Sequence, residues 1–184
     1  MDRERPFFFK QALSDALIYA LVLILFSIAK WGVITHVEEG FYINAFLGIA
    51  FIPITIGLAI FFTKRYRDTY LEGFIDFRTV FNFVMVLVLA GSGLRMMYDY
   101  VFLTYIEPDF IERSLEVTQK QISDVFAEKG LSVNDARGLF SFKSEDIPTA
   151  SQSAKGSGSL NLLWGLVIAL ISGAVCVRKT TGVD

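Results

Sequence analysis

Long apolar runs separated by short charged stretches dominate the chain. Four of them, residues 12–33, 41–62, 78–105 and 160–177, reach the length of about 20 residues that a helix needs to cross a hydrocarbon core. The first holds Asp15 and Lys30, each within snorkelling reach of an interface, and the third holds Arg95 and Asp99 toward its far end. The fourth is the shortest, yet residues 160–175 carry no charge at all. Pro53 lies inside the second run, where a membrane helix accepts it as a kink if neighbours satisfy the freed carbonyl. The pattern predicts an all-α, polytopic membrane protein with four transmembrane helices.

Between the third and fourth runs the period changes. Glu107-Pro108-Asp109 has the character of a helix start, since proline suits the first turn and acidic groups favour the positive end of the helix dipole. Ile111, Leu115, Ile122, Val125 and Phe126 then recur at helical spacings as one apolar stripe, and Lys129-Gly130 closes the pattern. This predicts an amphipathic helix of about five to six turns, continuing the third membrane helix after a bend at Pro108. Ser132 and Asp135 open a shorter helical segment, to which Leu139, Phe140 and Phe142 lend apolar surface. The expected insertion is a helical hairpin over 107–142, followed by a flexible Ser-, Gly- and Lys-containing linker over 143–159. Its stripe has two readings: packing on the hairpin itself or the ends of the membrane helices, or docking of a protein subunit or the lipid headgroup layer. A lipid-surface helix is normally richer in Lys and Arg on its polar face.

Charge then gives a direction. Arg3, Arg5 and Lys10 precede the first span, Lys64, Arg65, Arg67 and Arg78 lie between the second and third, and Arg178 and Lys179 follow the fourth. All fall on one side, which the positive-inside rule makes cytoplasmic. Both termini are therefore expected in the cytoplasm and the 106–159 segment outside it. A cleaved signal peptide ending at Ser27-Ile28-Ala29 is the competing reading of the first span. Its apolar run is longer than a typical signal core and continues through 31–35.

Composition narrows the function. Of 184 residues 53% are hydrophobic, mean hydropathy is +0.50, and 18 Phe and 7 Tyr suit lipid contact. A net charge of −2 lacks the basic excess that nucleic acid would attract. One Cys and one His leave no disulfide framework and no protein-only zinc site. Gly91-Ser92-Gly93 lacks the third glycine and the strand of a dinucleotide fingerprint, and no Walker loop or nucleophile elbow occurs. No catalytic residue, metal or cofactor is expected; His36 reads as an interfacial polar residue and Cys176 as a packing residue.

Two residue sets remain. Gly165, Ala169 and Gly173 repeat every four residues, lining one face with small side chains, and Gly91 and Gly93, with Ala90 and Ser92, form a matching patch on the third helix. This suits helix packing within the bundle or self-association. Lys30, Arg95 and Asp99 form a polar cluster placed near one edge of the hydrocarbon layer, with Arg95 and Asp99 at pairing distance along a helix. They read as snorkelling anchors or as a transport or ligand site.

Lys64-Arg65-Tyr66-Arg67, the run Gly73-Phe74-Ile75-Asp76-Phe77-Arg78-Thr79-Val80-Phe81, Tyr105-Ile106-Glu107-Pro108-Asp109-Phe110 and Gly130-Leu131-Ser132 resemble domain-of-unknown-function family 4199 over most of the chain. The resemblance implies a small bacterial inner-membrane protein, of a kind found largely in Bacteroidota, with a helical exoplasmic insertion and no catalytic residues to transfer. Ala12, Ala16 and Ala20 stand where the family's first helix is usually glycine-rich. Together these features lead to a noncatalytic membrane accessory or assembly protein that uses its hairpin to contact a membrane or periplasmic protein. A small oligomeric transporter or channel component is the alternative.

Overall fold

The computed structural model describes residues 5–36, 40–128, 130 and 147–178. Among them are five α-helices: α1 (Arg5–His36), α2 (Gly40–Tyr70), α3 (Phe77–Val101), α4 (Phe110–Glu128) and α5 (Ala150–Cys176). A π-helical turn, Phe102–Ile106, extends α3. Four stretches have the length and apolar composition of membrane spans: Phe8–Val33, Ala45–Tyr70, Phe77–Ile106 and Ala150–Cys176. The chain is thus an all-α, multi-pass membrane protein. The shorter helical segment expected over 131–142 lies outside the described residues.

The spans pack in the ring order α1, α2, α5, α3, with α3 making its broadest contacts with α5 and α1, while α2 and α3 stand nearly opposite each other. Leu23, Phe62, Phe83, Val84, Leu87, Val88 and Ile168 fill the centre. The outward faces are as apolar as the core: Leu17, Leu21 and Leu25 on α1, Phe46 and Ile49 on α2, and Leu163 on α5 are exposed. With lipid as the neighbour, nothing drives these side chains inward, so close packing selects the buried face.

With an even number of spans, the start of α1, the α2–α3 turn and the end of α5 share one face, called here the terminal face. It is closed by long-range contacts. The Phe8 ring meets Tyr66 and Phe83 at centroid distances of 5.8 and 5.9 Å. Arg67 Nη1 donates to the Cys176 carbonyl at 3.2 Å, satisfying one of the last orphan carbonyls of α5. Beyond it, Ile75 and Arg178 exchange two backbone hydrogen bonds of 3.0 and 3.1 Å. Glu72 (φ 53°) and Gly73 (φ 86°) reverse the chain through left-handed conformations. Asp76 then caps α3, accepting from the Thr79 amide at 3.3 Å and from the Thr79 hydroxyl. The Thr79 hydroxyl and nearby backbone amides hold its carboxyl below the usual aspartate range.

One expected boundary is corrected. Of the linker expected over 143–159, residues 150–159 are helical, so α5 begins about ten residues before the expected 160. The cause is local: the Gln152 amide donates to Thr149 Oγ1 at 3.3 Å and the Thr149 amide donates to Gln152 Oε1 at 2.9 Å, a reciprocal capping box. Ser- and Gly-rich composition is tolerated because small residues let the first turns approach α3; a side-chain carbon at Gly158 would lie 3.1 Å from the Met96 sulfur.

The amphipathic helix forms as α4 and follows α3 across a non-helical break at 107–109, the position of the expected bend at Pro108. Glu107 and Arg113 form an ion pair across this break. Beyond it α4 packs against α1 and α2. Trp31 is the hinge: its ring stacks on Phe102 at 4.1 Å and contacts Phe110 at 5.3 Å, so one indole ties α1 to both sides of the bend.

Candidate functional site

The polar cluster expected at one end of the spans is partly assembled. Arg95 and Asp99 face each other one helical turn apart, Nε to Oδ2 at 3.6 Å, and Asp99 is almost fully buried. Ser157 of α5 donates to the same Oδ2 at 3.0 Å, so a serine 58 positions away completes the pair. The Arg95 guanidinium also lies 5.5 Å from the Phe51 ring centroid on α2. Lys30 is exposed and like-charged with nearby Arg95, so it stands beside the pair rather than within it.

A second polar position continues the cluster toward the bundle centre. One turn from Arg95 lies Ser92, and one turn from Ser157 lies Asn161. Both border a cavity of about 10 Å³ that is also lined by Tyr19, Leu23, Phe51, Thr55, Trp164 and Ile168. Each of the four spans thus contributes to it. Immediately beyond, the bundle closes: a carbon added at Gly165 would lie 2.6 Å from Val88 Cγ1. The cavity holds at most one water.

The small-residue positions divide. Gly165, Ala169 and Gly173 are buried against α3, with Val88 over Gly165 and the Phe77 ring over Gly173. The expected matching patch is corrected: Gly91 receives Tyr19 of α1, whose Cδ1 would lie 2.6 Å from an added carbon, and Gly93 has open space there. Large side chains sit over glycines, so α5 and α3 interlock as knobs and hollows rather than meeting small face to small face.

The stripe residues Ile111, Leu115, Ile122, Val125 and Phe126 are all half-buried, on a helix that packs back on α1 and α2. Glu112, Arg113, Glu116, Lys120 and Asp124 occupy exposed positions. Packing on the membrane helices therefore takes part of the stripe, and the charged face is what α4 presents outward.

Asp15 was expected to snorkel to an interface. Instead it is 2% exposed within the bundle, accepts from Gln11 Nε2 at 3.1 Å and lies 3.9 Å from Arg65. The signal was present: Ala12, Asp15, Ala16, Tyr19, Ala20 and Leu23 share one helical face, and all are buried. Ser157, Asn161 and Thr55 carried no comparable signal, because isolated hydroxyls and amides are common in membrane helices. Among the described residues no three His, Cys, Asp or Glu side chains gather as metal ligands.

A family model described as protein of unknown function (DUF4199) matches residues 14–178, nearly the whole of the structure just described, and the chain belongs to that family. No curated protein and no solved structure matches it.

Proposed function

We propose that this family member is a noncatalytic accessory or assembly protein of the bacterial inner membrane, with its terminal face in the cytoplasm and α4 on the opposite side, contacting a membrane or periplasmic protein. The observation that carries the reading is α4 itself. It belongs to none of the four spans, it is fixed to them by Trp31 and its half-buried stripe, and it turns a charged face outward. A helix that only covered the bundle would need the stripe alone. The spans, meanwhile, interlock closely enough that their shared interior cavity has room for one water, which favours a scaffold over a solute path.

The test uses the whole chain in native membranes. Reversing Glu112, Glu116 and Asp124 to Lys should leave the melting temperature in detergent near wild type, because exposed charges contribute little to folding. The same triple variant should lose the high-mass species that crosslinking captures with wild type. Unchanged crosslinked species would overturn the reading. The Arg95–Asp99–Ser157 set, in which Asp99 is buried, is the one observation that favours the transporter or channel alternative. That alternative expects Arg95→Gln to abolish ion or solute leak in reconstituted vesicles while the α4 variants leave it unchanged. Direction is checked by single-cysteine labelling in a Cys176→Ser background: an impermeant reagent added outside should modify Glu116→Cys on the exposed face of α4 and leave Phe74→Cys, exposed in the α2–α3 turn, protected.

A further inference from the structure

The polar seam between α3 and α5 ends in a feature that neither docking nor anchoring requires. Starting at Asp99 and Ser157, it passes Arg95 and reaches Ser92 and Asn161, and there it stops against the Val88–Gly165 contact. At this blind end Ser92 Oγ and Asn161 Nδ2 are both buried without a hydrogen-bond partner in the protein, and both residues border the same cavity. Ser92 is 3% exposed. Leaving either group unpaired within a bundle interior costs much of its desolvation energy, since lipid offers no replacement.

We propose that this cavity is a binding site for one water molecule, held by Ser92 Oγ of α3 and Asn161 Nδ2 of α5 and within a lining that Thr55 of α2 and Tyr19 of α1 complete. The lining chemistry selects water over the alternatives. Cavities that remain dry are lined by apolar groups, whereas a water needs two to four polar partners. Asn161 Nδ2 offers a donor and Ser92 Oγ both a donor and lone pairs. Thr55 Oγ1 directs its own proton at the Phe51 and Ile52 carbonyls, at 3.0 and 2.9 Å, which leaves its lone pairs free to accept. A metal cation is opposed by the amide donor of Asn161 and by the Arg95 guanidinium over Phe51, itself a wall of the cavity. An anion is excluded by size, because about 10 Å³ suits a single water. The water also gives the seam a hydrogen-bonded end rather than a pair of orphaned groups.

A double-mutant cycle tests the bridge. Ser92→Ala and Asn161→Leu should each lower the apparent melting temperature in detergent, by about 2 to 4 °C. The double variant should lose clearly less than the two losses added, because one shared water can be lost only once. Strictly additive losses, or none, would overturn the proposal. Replacing sodium chloride by choline chloride should leave the wild-type melting temperature unchanged; a sodium-dependent rise would assign the cavity to a cation instead. A wild-type structure at a resolution that orders solvent gives an answer independent of the variants. It should show one peak within about 2.7 to 3.2 Å of both Ser92 Oγ and Asn161 Nδ2, and an empty cavity at that resolution refutes the assignment.

Discussion

The two ends of the bundle are held by different kinds of contact. At the terminal face the fastenings reach the backbone: Arg67 holds the Cys176 carbonyl, Ile75 and Arg178 pair as a short β-bridge, and Asp76 caps α3. At the α4 end they run through side chains: Trp31 stacks among Tyr98, Phe102 and Phe110, and Arg95, Asp99 and Ser157 meet across α3 and α5. The backbone bridge fixes the segment after α5 against the α2–α3 turn whatever side chains those two positions carry. Side-chain fastenings hold α4 through the Trp31 ring and its half-buried stripe, without a backbone hydrogen bond to another span among the contacts described. The difference places the backbone-mediated closure at one end and leaves the proposed contact surface at the end held by aromatic and charged side chains.

The sharpest way to break this comparison is to wedge each end. Gly173 lies under the Phe77 ring near the terminal face, so Gly173→Leu should cost about 3 kcal/mol, the upper range for overpacking, or prevent assembly outright. Gly93 has open space around it, and Gly93→Leu should be neutral or slightly stabilising because leucine is the better helix former. Melting curves in one detergent compare the two directly. Equal losses would show that the ends are packed alike.

A smaller effect comes from buried Arg67 and half-buried Arg95. Arg67→Met leaves the Cys176 carbonyl buried and unpaired and should cost about 1 to 3 kcal/mol. Arg95→Gln should cost about 1 kcal/mol, because the Arg95–Asp99 contact is an ion pair at 3.6 Å rather than a hydrogen bond and the Ser157 hydrogen bond to Asp99 is kept. A larger loss for Arg95 than for Arg67 would reverse the ranking of the two ends.

Proton binding at Asp76, on the terminal face, should produce the least change. The carboxyl of Asp76 titrates below its unfolded value of about 3.9. Its stabilising contribution is complete above that value and fades as pH falls through the depressed folded value. Melting temperature followed from pH 7 to pH 3 should therefore show an acid loss that is smaller in Asp76→Asn, which keeps a capping side chain without a titrating group. Identical pH profiles would remove Asp76 from the account.

Much of this organisation was legible in the sequence because lipid makes it so: a span must be long, helical and apolar, and four such runs stand out without any knowledge of their partners. The amphipathic period of α4 and the family's aromatic and glycine positions were readable for the same local reasons. The early start of α5 was also written in Thr149 and Gln152, but the Ser/Gly composition around them suggests a linker when read alone. What stayed hidden depends on pairs far apart in the chain. Nothing near Asp99 announces Ser157, and nothing near Arg67 announces the Cys176 carbonyl. The facing of Gly91 toward Tyr19 instead of α5 likewise depends on the ring order of helices, which hydropathy does not encode.

The Ile75–Arg178 bridge also has a meaning in time. The chain is made from its amino end, and Arg178 follows α5, the fourth of the spans among the described residues. Until it arrives, Val88 lacks Gly165, Phe77 lacks Gly173, and Arg67 and Asp99 lack the Cys176 carbonyl and the Ser157 hydroxyl. Each of these contacts, and the Ile75–Arg178 bridge with them, can form only once α5 has been made.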